Sequence, residues 1–279
     1  LNLSQCTLVT ADSKGLDIAQ VSGMGGIGKT LLAEEYALRF GAAYPGGIYW
    51  LEAHGSFNPH NRDVDLFKSA CKDQFLKILH AHGQNPPPDT PFESIRAAVA
   101  NIIKQAEGRS LWIVDDVPYG LADHLDAVKA WFAPHSSACT LVTTRSREYN
   151  AVGKELPLDV LDKSAAFDLL KNHGIDIASQ KDEAAKLIER LGGHAMALDI
   201  AGAAIANYGD TTEAYLKELD KDMEDLIDAS PDLIGSLPSG HERSIVATYK
   251  HSLLKLGNNI WVGPWMKGPL QFGPPPSNH

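Results

Sequence analysis

Residues 23–30 read Gly-Met-Gly-Gly-Ile-Gly-Lys-Thr, a run in which Gly23, Gly28, Lys29 and Thr30 are spaced as G-x-x-x-x-G-K-[ST]. These residue types in this order bind anions. Glycines let the backbone wrap closely, so that successive N–H groups point inward at a chain of phosphates. A helix opening at Lys29 adds unpaired N–H groups and the positive end of its dipole. Lys29 brings a full charge to the β- and γ-phosphates, and the Thr30 hydroxyl is suited to ligating Mg²⁺. The plainer alternative, a flexible glycine turn before a helix, leaves Lys-Thr at the helix start without a reason.

Two further runs supply complementary groups. Ser-Leu-Trp-Ile-Val-Asp-Asp-Val, residues 110–117, is an apolar stretch closed by two carboxylates. On a buried strand, Asp115 would lie at the C-terminal end near the cation and hold it through water. Asp116 would then orient or deprotonate an attacking water. Residues 138–150, ACTLVTTRSREYN, read as another buried strand from Cys139 to Thr143, ending in Thr144 and Arg145. A guanidinium at that end, beside phosphates, can report whether a γ-phosphate is present. Solvated acids and a surface arginine are the alternatives for each run taken alone.

Stepping these groups into one site requires parallel strands. The strand predicted at residues 16–22 precedes the glycine run, and KTLLAEEYALRF after it places Leu31, Leu32, Tyr36 and Phe40 near helical spacing. GGIYWLEA (46–53) reads as a strand, 62–83 and 91–107 as helices, QNPPPDTP between them as a loop, and KELPL (154–158) as a short last strand. Alternation of this kind predicts an α/β fold, a parallel sheet with flanking helices over residues 1–158. From Leu161 the pattern is helical alone, which predicts a small all-helical domain over residues 159–235. Asp162 is the N-cap expected for its first helix, and Gly174, Gly192 and Gly193 are stops. The acidic stretch Thr211–Ala229 reads as a solvated helix face.

The order GMGGIGKT, LWIVDDV, LVTTRS, LPLDVLDKSAAFDLL and LGGHAMALDIAGAAI resembles the NB-ARC family of signal-transduction ATPases, the STAND class of P-loop NTPases, over roughly residues 16–255. The resemblance implies an ATP/ADP switch, closed with ADP and forming a homo-oligomer in the ATP state. Carried over motif by motif, Gly23, Gly25, Gly26, Gly28, Lys29, Thr30 and Leu31 bind nucleotide. Thr30 and Asp115 serve Mg²⁺, Asp116 serves hydrolysis, and Arg145 senses the γ-phosphate. Two positions depart from the family pattern. Ala195 stands where a G-x-P proline would meet the adenine, and its neighbour His194 either stacks on the base or faces solvent. The 22 residues before Gly23 also lack the Gly-Arg-Glu-type segment that helps enclose adenine.

The remaining sequence limits the function classes. A net charge of −10 opposes direct nucleic-acid binding, where Lys and Arg should be in excess. No apolar run is long enough to span a membrane and no leader is visible, so the cytoplasm is the expected compartment. Cys6, Cys71 and Cys139 are odd in number and far apart, as reduced thiols are. His80 and His82 point apart on a helix and have no third ligand nearby. Residues 236–279 resemble the start of a winged helix followed by an irregular tail rich in Gly, Pro and Trp. The chain, lacking an initial Met, therefore reads as part of a longer protein whose upstream effector and downstream sensor domains are missing. A nucleotide-holding scaffold without turnover is the alternative function. A P-loop metabolite kinase is weaker, because no acceptor-substrate constellation is visible.

Overall fold

Strands rich in Val, Ile, Leu and Trp on both faces need cover on both sides, which a parallel sheet between helices provides. The computed structural model describes residues 18–53, 64–149 and 153–229, together with Thr248. Cys6 and, Thr248 apart, the predicted winged-helix-like segment and tail lie outside the described residues. The elements run β1 (Ile18–Ser22), α1 (Lys29–Phe40), β2 (Ile48–Glu52), α2 (Val64–Ala81), α3 (Phe92–Gln105), β3 (Ser110–Val117), α4 (Leu125–Lys129), β4 (Ala138–Thr144) and β5 (Lys154–Pro157). Four helices follow: α5 (Lys163–Asn172), α6 (Lys181–Arg190), α7 (Ala195–Tyr208) and α8 (Thr212–Ala229). The sheet order is β2-β3-β4-β1-β5, and every pairing is parallel.

Side-chain alternation along β3 divides the core into two layers. Leu111 and Ile113 join Ala33 and Tyr36 of α1, with Ala19, Val21, Cys139 and Leu141. Trp112 and Val114 face the other way, onto Phe67 and Phe75 of α2, Val99 of α3 and Trp131. Full burial of such side chains contributes about 1.5–3 kcal/mol each. The Trp112 indole needs a partner in that setting and donates Nε1–H to the Trp131 carbonyl at 2.7 Å. Leu31 lies off the buried stripe of α1, 68% exposed, whereas Leu32 and Phe40 pack against the core.

The chain divides into two compact units, Leu1–Leu161 and Asp162–His279. In the second, Asp162 caps α5 by accepting from the Ala165 amide at 2.8 Å. Close approach of α5 and α7 depends on Gly202, where a Cβ would sit 2.6 Å from the His173 ring. That ring meets Asp199 of α7 at 2.8 Å, Nε2 to Oδ1. Glu213, Lys217, Glu218 and Asp220 of α8 are exposed, while Tyr215 and Leu219 are buried. Sequence periodicity did not indicate α4, a five-residue helix preceded by a 3₁₀ turn, because so short an element shows no repeat.

Candidate functional site

Because β1, β3 and β4 are parallel neighbours, their C-terminal ends lie along one edge, and each ends in one of the three motifs. That edge is where open α/β sheets bind ligands. From β1 the chain enters the glycine loop. Gly23 passes so close to the Leu158 carbonyl that a Cβ there would lie 2.6 Å from its oxygen. Gly28 has open space around it but a φ of 101°, which L side chains rarely adopt. As N-cap of α1, Gly28 offers no side-chain acceptor to the first-turn N–H groups. The loop therefore presents backbone donors at a helix N-terminus, the arrangement a phosphate chain needs. Gly26, with φ 71°, continues the turn, and the Arg145 guanidinium lies over Gly25, 3.8 Å from where its Cβ would be.

Lys29 is buried at the start of α1 and its Nζ donates to the carbonyls of Gly23 at 3.0 Å and Met24 at 2.7 Å. Burial, reinforced by the Arg145 charge, lowers its pKa from the usual lysine value, while Asp116 and Asp115 oppose that shift. Its ammonium thus stands where added negative charge is welcome. Thr30 donates its hydroxyl to both oxygens of Asp115, at 3.0 and 3.2 Å. Hydroxyl and carboxylate oxygens side by side are the hard donors that suit Mg²⁺. The residues fit a nucleotide phosphate chain with its cation.

Asp115 and Asp116 differ in setting. Asp115 is buried, and also accepts from Thr143 Oγ1 at 2.5 Å. Between Val114 and Val117 the β3–β4 register slips, a bulge of the kind that re-aims side chains beside active sites. Asp116 occupies it with φ 53°, the single non-glycine residue at positive φ among the described residues. Its N–H donates to Thr143 Oγ1 at 2.8 Å, and its carboxylate faces the Arg145 guanidinium at 3.5 Å. Lys29, Thr30, Asp115, Asp116 and Arg145 are therefore brought together. Leu31, one residue beyond Thr30, projects outward from the same helix turn.

Thr143 is the residue that motif reading passed over, although it stands near the end of β4, two positions before Arg145. His194 does not face solvent. It is buried, and its Nδ1 caps α7 by accepting from the Ala197 amide at 3.2 Å. His82 stacks on Tyr49 and contacts the Ile78 carbonyl. No group of three or more residues suited to holding a metal ion occurs by side-chain clustering of His, Cys, Asp and Glu among the described residues, and no helix there is long and apolar enough to cross a membrane.

A phosphate-binding loop on β1, paired acids on β3 and an arginine past β4 define a P-loop nucleotide-binding protein. The NB-ARC domain model matches residues 5–180. The chain belongs to the NB-ARC family, STAND-class P-loop NTPases whose members are ATPases that use nucleotide and usually Mg²⁺. No curated protein matches it significantly. One similar solved structure is a STAND protein with a tetratricopeptide repeat sensor from Pyrococcus horikoshii, at 20% identity and TM-score 0.41 over 83% of this chain. This chain spans 36% of that protein's length. Another is Cdc6p from Pyrobaculum aerophilum, at 12% identity and TM-score 0.47, covering 87% of this chain and 79% of that one.

Proposed function

We propose that this chain is an ATP/ADP-binding switch with slow ATPase activity, the core of a signalling or defence regulator that oligomerises in the ATP state. The observation that carries the reading is the placement of Arg145, over Gly25 of the phosphate loop and 3.5 Å from Asp116. A γ-phosphate would compete with Asp116 for that guanidinium. Its presence is then read as a change of partner for Arg145, and its loss as the return of the ion pair. Lys29 and the loop amides hold the phosphates, Thr30 and Asp115 hold Mg²⁺, and Asp116 orients or deprotonates the attacking water. Effector and sensor functions would reside in other parts of the protein.

The test is titration with fluorescent ATP and ADP in the presence of Mg²⁺, paired with chromatography of any nucleotide released on denaturation. Lys29→Ala removes charge-assisted bonds and should weaken both nucleotides by roughly 10- to 100-fold with the fold intact. Arg145→Ala should weaken ATP more than ADP. Failure of the wild type to bind either nucleotide at millimolar concentration would sink the reading. Binding with equal, background-level hydrolysis in wild type and Asp116→Ala would reduce the protein to a nucleotide-holding scaffold.

A further inference from the structure

Thr143 sits on β4 opposite Val21 of β1, fully buried, and its hydroxyl is spent on two consecutive residues of the neighbouring strand. It donates to Asp115 Oδ1 at 2.5 Å and accepts the Asp116 N–H at 2.8 Å. A hydroxyl has one hydrogen to give and lone pairs to receive. Here the hydrogen orients the carboxylate that faces Thr30, and a lone pair holds the backbone at the residue that faces Arg145. A regular parallel ladder would satisfy the Asp116 N–H from a β4 carbonyl. The bulge removes that option, and the Thr143 side chain replaces it.

The consequence for the cation side follows from donor counting. Thr30 and Thr143 both donate to Asp115 Oδ1, and Thr30 reaches Oδ2 as well. With its hydrogen turned to Asp115, the Thr30 oxygen keeps its lone pairs for a cation. Removal of the Thr143 donor frees the Asp115 carboxylate to rotate about its side-chain torsions, and Thr30 then loses a fixed partner. On the hydrolysis side, loss of the acceptor leaves a backbone N–H at a left-handed position without the bond that holds it there.

We propose that Thr143 is a positioning residue that ties the Mg²⁺-side carboxylate of Asp115 to the backbone of Asp116, so that cation affinity and the placement of the hydrolytic carboxylate depend on one hydroxyl. The inference rests on the nucleotide-switch reading above. Valine has nearly the same shape and suits a strand, so Thr143→Val removes both hydrogen bonds with little change in packing. Thr143→Ser restores the hydroxyl.

The experiment measures the affinity for fluorescent ADP with Mg²⁺ and with EDTA, in the wild type and both variants, with circular dichroism to check the fold. Loss of an outer-shell partner of a metal ligand typically weakens metal affinity by roughly 10- to 100-fold. Thr143→Val should therefore keep the wild-type affinity in EDTA and lose a tightening by Mg²⁺ of about tenfold, and Thr143→Ser should recover it. A purely structural role would shift the EDTA and Mg²⁺ values together. That result, equal Mg²⁺ dependence in Thr143→Val and wild type, or no Mg²⁺ effect in wild type overturns the inference while leaving nucleotide binding intact. A wild type that binds no ADP overturns the switch reading and this inference with it. Should Thr143→Val not fold, Thr143→Ala is read by the same criteria.

Discussion

Asp116 combines three constraints that seldom meet in one residue: a left-handed backbone, a bulge and an ion pair with an exposed arginine. The left-handed region costs an ordinary L residue about 1–2 kcal/mol, and Asp and Asn tolerate it best because their short polar side chains bond locally. Asp116→Asn should therefore fold with near wild-type stability, while Asp116→Ala should lose about 1 kcal/mol more in denaturant unfolding. Both should bind nucleotide and show little ATP turnover in a phosphate-release assay. Wild-type turnover in Asp116→Asn would show that its carboxylate is not the hydrolytic group. The acidic pair was legible because two carboxylates closing an apolar run have few structural uses. The part played by Thr143 was not, because threonine is a good strand former and nothing in LVTTRS marks which hydroxyl reaches Asp115 and Asp116. The left-handed φ of Asp116 was equally hidden, since a bulge depends on the register between two strands 20 or more residues apart.

At the scale of elements, the loops after β3 and β4 are sewn together. Thr144 Oγ1 donates to the Val117 carbonyl at 2.8 Å, the Gly120 amide donates to Glu148 at 2.9 Å, and Tyr149 Oη donates to the Pro118 carbonyl at 2.5 Å. The segment carrying Arg145 is thus bound to the one that follows Asp116. Burial, aided by the Glu148 charge and opposed by a hydrogen bond with the Leu121 backbone, pushes the Tyr149 phenol up to about 12 from 10.0. Its folded pKa lies above the unfolded value, so its contribution is complete below pH 10 and declines as pH rises toward 12. Tyr149→Phe should cost about 1 kcal/mol at neutral pH by loss of one hydrogen bond. The gap between wild type and variant should narrow between pH 10 and 12 in denaturant unfolding. A gap that stays constant through that range would show that the hydroxyl does not carry the difference. The strands and the long helices of this unit were readable from apolar runs, proline-rich breaks and glycine stops. These loop ties were not, because they join residues that lie on different strands' ends and carry no local pattern.

For the whole molecule, the groups assigned to phosphate, Mg²⁺ and hydrolysis, namely Lys29, Thr30, Asp115, Asp116 and Arg145, all precede Leu161, where the first compact unit ends. The second unit has its own buried side chains on all four helices, α5 to α8, of the described residues, among them Leu170, Leu187, Leu198 and Leu219. A ligand held by one unit should stabilise that unit first. Tryptophan provides the separate readout: Trp50, Trp112 and Trp131 belong to the first unit, and the other two of the chain's five are Trp261 and Trp265. In a Trp261→Phe/Trp265→Phe background, fluorescence therefore follows the sheet unit, whereas far-ultraviolet circular dichroism follows the helices of both. A ligand at about 100 times its Kd adds roughly 2.7 kcal/mol, and each kcal/mol moves the Tm of a unit this size by about 2–4 °C. MgADP should then raise the fluorescence-detected Tm by roughly 5–10 °C. The dichroism melt should separate into a shifted and an unshifted component. Equal shifts by both probes would overturn the assignment of nucleotide stabilisation to the first unit alone. An unmoved fluorescence transition would remove the phosphate loop from the binding site.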